Sequence, residues 1–294
     1  MGAVLGLGLF LSVAPWGFFA PLTVLLLFGR PRTAREWLWI GAGVIWTASL
    51  WMQEDGTLLF YAVNAWGALL AGVFGIVALS PRPWRTSPAW IATAAAAVMF
   101  LLLLHANGFD LGAIQFEATR ALAQAQADMR VVAQSLLGRA PATDPAAPAA
   151  VGAITPALFT ILGTLGLDLA WRWYRRIAAA PAGAPPRPFA EFRFSDHLVW
   201  ILVVALATTL AGSAGYLPAS AGPTNALLLM GVLYAIRGLA IVWPAIHRMP
   251  VVTRIALLFV SVLLFVFVMA GLFGIGLADT WVDFRRRKPA AQGG

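Results

Sequence analysis

The chain has 294 residues, of which 61% are hydrophobic and 11% charged, whereas soluble domains carry about 25% charged residues. Its mean hydropathy is +0.82. A soluble domain needs a wetted exterior, and a disordered chain is poor in apolar residues, so this composition excludes both classes. It predicts an all-α, polytopic transmembrane helix bundle whose main partner is the lipid bilayer.

The formal charge of +8 is carried by arginines that lie at the ends of apolar runs, in the clusters Arg30–Arg35, Arg82–Arg85 and Arg172–Arg176. Basic residues in such positions orient helices in a membrane, and no basic patch lies elsewhere, so nucleic acid is not an expected partner. The chain has no cysteine and its three histidines are scattered. We therefore expect no metal site and no cofactor.

A membrane-spanning helix needs about 20 mostly apolar residues. The first apolar run contains Pro15 and Pro21, which predict either one bent helix or two short ones. The second run is the shortest, so its helix either tilts or stops short of spanning. About eight spans are expected in total, at roughly 1–29, 37–52, 57–79, 88–106, 151–174, 196–213, 223–246 and 252–278.

One segment departs from the membrane pattern. Between Gly108 and Leu137, apolar residues recur at spacings of three and four, and the opposite face is polar, which predicts an extramembrane amphipathic helix. Residues 139–150 are rich in alanine and proline and predict a linker. The chain is therefore expected to divide into an N-terminal transmembrane half (1–107), this insert (108–150) and a C-terminal transmembrane half with a basic tail (151–294).

The arginine clusters also predict the orientation in a bacterial cytoplasmic membrane. The positive-inside rule places Arg30–Arg35, Arg82–Arg85 and the arginines of 172–193 in the cytoplasm. Counting onward from there puts the basic tail, residues 285–288, on the outside, against the same rule. The sidedness of the tail stays open.

Arg237 lies deep in the run 223–246, where an arginine costs about 2.5–3.5 kcal/mol on insertion scales. Either it faces a cavity and binds an anionic group or a buried carboxylate, or it pairs to fix helix packing. Asp168 is the expected partner and Asp279 the alternative. Asn64 and Asn225 also lie among apolar residues, where helix–helix hydrogen bonding is favoured over ligand contact. The candidate ligand-binding residues are Arg237, Asp168, Asn225 and Asn64.

No catalytic pattern is present. The sequence has neither the Gly-x-Ser-x-Gly turn of serine hydrolases nor a phosphate-binding loop, so we expect neither an enzyme nor an ATPase. Any uphill transport would draw its energy from a partner protein or an ion gradient.

Small residues recur every four positions in three places. Such stripes let helix backbones approach closely, and packing within the chain is the favoured interpretation. The alternative is a docking face for another membrane subunit, with Gly2 and Gly6 the best candidates. Near the C-terminus, Asp279, Asp283 and Arg286 follow one helix face and predict either an interfacial anchor or a partner contact. The three stripes are Gly2/Gly6, Gly67/Ala71/Gly75 and Ala270/Gly274/Ala278.

Two segments carry a family resemblance. The run Phe192-Arg193-Phe194-Ser195-Asp196-His197 and the closing Asp279-Thr280-Trp281-Val282-Asp283-Phe284-Arg285 resemble the YybS-like family of bacterial membrane proteins. The resemblance covers most of the chain, and the closing motif is its distinctive part.

That family is distantly similar to the substrate-binding subunits of energy-coupling-factor transporters and to the cell-shape protein MreD. The resemblance implies a transport-related small-molecule-binding subunit, although the long insert departs from the compact transporter subunit. The alternative is a non-catalytic membrane scaffold that recruits envelope or cell-shape proteins.

Overall fold

The computed structural model describes residues 16–52, 56–80, 87–138, 144, 146–185, 188–216 and 220–282. In these ranges the chain forms helices and no strand, which confirms the all-α fold. Two short 3-10 turns, Phe189–Glu191 and Asp196–Leu198, precede the seventh helix. The helices are α1 Trp16–Phe28, α2 Ala34–Trp51, α3 Leu58–Leu79, α4 Pro88–Ala106, α5 Leu111–Leu137, α6 Ala147–Ile177, α7 Val199–Ser213, α8 Ala221–Arg248, α9 Val251–Leu263 and α10 Phe265–Val282.

Six helical segments in the described ranges are long and apolar enough to cross a membrane: α3, α4, α6, α8, α10, and α7 together with the turn before it. The helices α1 and α9 are apolar but shorter. The apolar run 252–278 is not one helix, because the chain breaks at Leu264 between α9 and α10. At 1.5 Å per residue, α9 is about 20 Å long, against a hydrocarbon thickness of about 30 Å.

The chain divides into two compact units, residues 1–186 and 187–294. In the first unit, α1 packs against α2, α3 and α6, and α4 packs against α3 and α6. A side chain at Gly75 would lie 2.8 Å from Val24 of α1, so the small-residue stripe on α3 is a packing face. This confirms the packing interpretation for Gly67, Ala71 and Gly75. Residues at the centre of this core include Phe18, Leu22, Leu70, Leu167 and Tyr174.

The predicted amphipathic helix is α5. Asp110 caps its start by accepting a hydrogen bond from the Ala113 amide, and Gly138 ends it in the left-handed conformation, with φ of 68°. The first part of α5 packs along the start of α6, where the Gln115 amide donates to the Ala153 carbonyl at 3.1 Å. The linker prediction was wrong for residues 147–150, because α6 already begins at Ala147. Pro148 in its first turn is compatible with a helix start.

The start of α2 and the ends of α3 and α6 meet at one end of the first unit. The Glu36 carboxylate accepts hydrogen bonds from the amides of Ala179, Arg32 and Thr33. These bonds, led by the one from Ala179, lower the pKa of Glu36 from 4.5 to about 2. A side chain at Gly183 would collide with the Ala78 carbonyl.

The clusters Arg30–Arg35 and Arg172–Arg176 therefore lie at the same end, as the positive-inside rule predicts. The third cluster, Arg82–Arg85, lies outside the described residues, although α3, the helix before it, ends here as well.

In the second unit, α8 packs against α7 and α10. The helices α8 and α10 are antiparallel and come closest at Gly238 and Gly276. A side chain at Gly238 would meet the Leu272 carbonyl, and one at Gly276 would meet the Tyr234 carbonyl. The predicted stripe on α10 is not this contact, since Ala270 and Gly274 are exposed. Gly274 precedes Gly276 by two residues, about 200° around the helix, so the two glycines face opposite sides.

Candidate functional site

The Arg237 side chain is completely buried in α8. Its Nε donates to Asp279 Oδ2 at 2.9 Å, and its Nη2 donates to the Asp279 backbone carbonyl at 3.2 Å. Its Nη1 donates to Asp196 Oδ1 at 2.7 Å. Asp279 follows Gly276 by one helical turn, so the glycine crossing brings this short carboxylate within reach of α8. We call Arg237, Asp196 and Asp279 the ionic cluster.

The two carboxylates of the ionic cluster differ in exposure. The Asp279 side chain is fully buried, whereas that of Asp196, in the turn before α7, is 53% exposed. Within the ionic cluster, two carboxylates face one guanidinium group. The ionic cluster is therefore shielded from solvent on the α10 side and accessible to solvent at Asp196.

Aromatic rings surround the guanidinium group. The Phe194 ring centre lies 5.3 Å from Arg237 Cζ, a cation–π contact, and Phe194 packs edge-on against Tyr234. Tyr234 is fully buried, one turn before Arg237. Its hydroxyl faces the Thr280 hydroxyl, yet neither group forms a hydrogen bond of ordinary geometry within the described residues. Buried polar atoms are usually hydrogen-bonded, so these two hydroxyls are unusual.

The prediction that Asp168 pairs with Arg237 was wrong. Asp168 instead pairs with Arg172, four residues later on α6, at 2.6 Å, because residues at this spacing share a helix face. The alternative partner, Asp279, is confirmed. Asp279 was also expected at a partner-contacting face, but its side chain is buried against Arg237. The second partner, Asp196, was not anticipated.

The two asparagines make hydrogen bonds along their own helices. Asn64 donates to the Phe60 carbonyl at 2.9 Å, and Asn225 donates to the Ala221 carbonyl at 2.8 Å. The helix–helix interpretation was therefore wrong for Asn64, because its side-chain amide donates to a carbonyl one turn earlier on its own helix. A ligand-binding role for Asn64, Asn225 and Asp168 stays a prediction. Other predicted contact residues lie outside the described ranges: Gly2, Gly6, Asp283 and Arg286.

An open groove of about 500 Å³ lies between α7 and α8. None of the four predicted ligand-binding residues lines it. Trp200, at one end of its α7 wall, follows Asp196 by four residues. The lining is almost entirely apolar and consists of Trp200, Ile201, Val204, Ala205, Thr208, Gly222, Pro223 and Ala226.

Part of the chain matches a known family model. Residues 150–280 match a family model described as "Predicted membrane protein (DUF2232)". The matched range contains most of α6, all of α7, α8 and α9, and most of α10, and it includes all three residues of the ionic cluster. No curated protein and no solved structure matches the chain. The match and the apolar helices together indicate a multi-pass membrane protein.

Proposed function

We propose that the chain is a transport-related, small-molecule-binding subunit of the bacterial cytoplasmic membrane, without an ATPase or a catalytic step of its own. The ionic cluster is its binding site. One observation supports this proposal above the others: a buried arginine between apolar helices is paired with two carboxylates, one of which is half exposed.

A purely structural role explains such a cluster poorly. Desolvating two charged groups, Arg237 and Asp279, is expensive, and apolar residues of similar volume often stabilise a core as well or better. Ionisable residues among membrane helices commonly mark substrate or ion pathways. The half exposure of Asp196 fits a site that a ligand from outside the chain can reach.

The experiment compares two variants that each remove one half-exposed carboxylate paired with an arginine. Asp196→Asn changes the ionic cluster, and Asp168→Asn is the matched control on α6, where the carboxylate is 41% exposed. Purified protein in nanodiscs is analysed by native mass spectrometry for co-purifying small molecules, and by thermal shift against panels of cationic, anionic and neutral metabolites.

We expect at least one compound class to bind the wild type and Asp168→Asn, and to bind Asp196→Asn at least tenfold more weakly. Two results would overturn the proposal. One is a wild type that binds no compound class, and the other is binding that Asp196→Asn leaves unchanged.

A membrane scaffold that recruits envelope or cell-shape proteins is the second candidate function. It is favoured by the last part of α5, where Met129, Val132 and Leu136 are 66%, 55% and 77% exposed on one face. Replacing all three by serine should abolish cross-linking to an envelope protein in cells without changing the melting temperature. If every cross-linked partner persisted, this candidate would be eliminated.

A further inference from the structure

The helix α5 leaves the first unit at the end opposite its arginine clusters. Ile114, near the start of α5, packs against the start of α3 and the end of α4. Gln115 donates a hydrogen bond to the Ala153 carbonyl of α6. Gln126, eleven residues later, donates to the Asp144 carbonyl, which lies before α6 begins. The helix α5 therefore runs antiparallel to the start of α6 and away from the arginine clusters.

We expect the last part of α5 to lie beyond the membrane. The helix α6 has 31 residues and is about 46 Å long, whereas the hydrocarbon layer is about 30 Å thick. About 30 Å of helix, counted back from Arg172, ends at Gly152, which packs against Thr119 of α5. Met129 and Leu136 then lie about 15 Å and 25 Å past that level, outside a headgroup layer of about 5–8 Å. Lipid chains do not reach so far.

An apolar seam follows one face of this projecting part of α5. Its residues recur at alternating spacings of three and four, which is the repeat of a two-stranded coiled coil. Three of them, Met129, Val132 and Leu136, are more than half exposed. Such a repeat fits a partner helix that packs along it. The seam consists of Leu122, Ala125, Met129, Val132 and Leu136.

A second copy of the chain complements the seam. Copies in one membrane share an orientation, so their α5 helices project in the same direction and pair in parallel, with Met129 facing Met129 of the second copy. Asp128 and Arg130 lie about 100° to either side of Met129. In a parallel two-fold pair, Asp128 of one copy therefore lies on the same side as Arg130 of the other. The charges of α5 are two acidic and two basic residues, so two copies approach without net repulsion.

We propose that two copies of the chain associate through the seam of α5, as a parallel two-helix coiled coil outside the membrane. Because the membrane holds both copies in one plane, a high effective concentration lets a short seam suffice. This association does not involve the ionic cluster, so dimer formation and small-molecule binding can each fail without the other. The scaffold candidate assigns the same face to an envelope protein, and the experiments below separate the two.

Single cysteines test the pairing directly, because the chain has no cysteine of its own. Full-length Met129→Cys and Val131→Cys are reconstituted into phosphatidylcholine vesicles and oxidised with copper phenanthroline. We expect Met129→Cys to form a disulfide-linked dimer. Val131 is 70% exposed but lies about 200° around the helix from Met129, so Val131→Cys is the control and should cross-link at least tenfold less.

Two more cysteine variants test the direction of the pair. Leu122→Cys and Leu136→Cys should each cross-link to a second copy of the same variant, because parallel pairing places identical residues opposite each other. An antiparallel pair centred on Met129 would instead cross-link only a mixture of the two variants, and that result would contradict the parallel coiled coil.

A pair of charge substitutions tests the seam without cysteine. Val131 and Val132 are neighbours and are 70% and 55% exposed, but only Val132 belongs to the seam. Val132→Glu should raise the dimer dissociation constant at least tenfold, measured by single-molecule photobleaching in vesicles at increasing dilution. Val131→Glu should leave it unchanged. Both variants should keep the wild-type melting temperature, because both side chains are exposed.

A monomeric wild type, equal cross-linking of Met129→Cys and Val131→Cys, or equal effects of the two glutamate substitutions would overturn the inference. Cross-linking of Met129→Cys in cells to a different protein, in place of a second copy, would also overturn it and would favour the scaffold candidate.

Discussion

Removing the Arg237 side chain should destabilise the second unit strongly. In Arg237→Ala the Asp279 carboxylate, whose side chain has no exposed surface, loses the guanidinium group that compensates its charge. Breaking a buried ion pair by removing one partner costs about 3–5 kcal/mol, most of which is the penalty of the remaining buried charge. The Asp196 carboxylate is half exposed and can regain water, so it adds little to this cost.

The chain supplies an internal control for this prediction. Arg172 and Asp168 form a shorter ion pair, at 2.6 Å, but their side chains are 39% and 41% exposed. Such i,i+4 pairs contribute about 0.3–0.5 kcal/mol, so Arg172→Ala should change the stability very little. Depth of burial, and not the N–O distance, decides the order of the two effects.

The assay is unfolding by sodium dodecyl sulfate from mixed micelles, followed by circular dichroism, with thermal melting as a second readout. A further variant, Arg237→Met with Asp279→Leu, removes both buried charges and keeps similar volume. It should recover most of the stability that Arg237→Ala loses. If Arg237→Ala and Arg172→Ala lost the same small amount, Arg237 would have to reach water or lipid headgroups, and the buried pairing would be refuted.

Two further predictions concern stability. The pKa of Glu36 is about 2 in the folded protein, against an ordinary value of 4.5. The ionised carboxylate therefore stabilises the fold by about 3 kcal/mol above pH 4.5, and this stabilisation is lost as the pH falls toward 2. Melting curves from pH 5 to pH 2 should show this loss in the wild type and not in Glu36→Gln; parallel curves would contradict it. Gly238→Ala places a methyl group against the Leu272 carbonyl and should lower the free energy of unfolding by about 1–3 kcal/mol in the sodium dodecyl sulfate assay. The control is Gly274→Ala, which has open space around it and should be neutral or slightly stabilising. Equal effects of the two variants would refute the close approach of α8 and α10.

The helices were predictable from the sequence because hydropathy and length determine them locally. The α5 helix shows this best, since its cap at Asp110 and its stop at Gly138 are both local signals. The partners of Arg237 are tertiary contacts, and residue type alone could not choose between Asp168 and Asp279. The close approach of α8 and α10 at Gly238 and Gly276 brings Asp279 to Arg237. Gly276 lies two residues after Gly274 of the small-residue stripe that the sequence displays, and so on another face of α10.

A signal for Asp196 was nevertheless present. The helix α7 ends at Ser213, α8 begins at Ala221, and the two helices pack side by side as a hairpin. Counting back 17 residues from Ser213 reaches Asp196, and counting forward 17 from Ala221 reaches Gly238, the neighbour of Arg237. Two arms of equal length therefore place the carboxylate opposite the arginine. This argument needs the helix boundaries, which are the least certain part of a sequence-based prediction.

The same hairpin determines how deep the ionic cluster lies. The segment Asp196–Ser213 has 18 residues and covers about 27 Å, close to the hydrocarbon thickness, so we expect Asp196 to lie near one membrane surface. We expect Arg237 at the same depth, and α8 continues about 16 Å beyond it to Arg248. We expect water to reach the cluster from this side, in agreement with the half exposure of Asp196. The chain has no cysteine, so a single cysteine at His197, an exposed neighbour, can be labelled selectively. A membrane-impermeant maleimide should label it rapidly from one side of sealed vesicles and leave a cysteine at the buried Ala205 unlabelled. If neither position reacted from either side, the cluster would lie within the hydrocarbon, and this depth would be wrong.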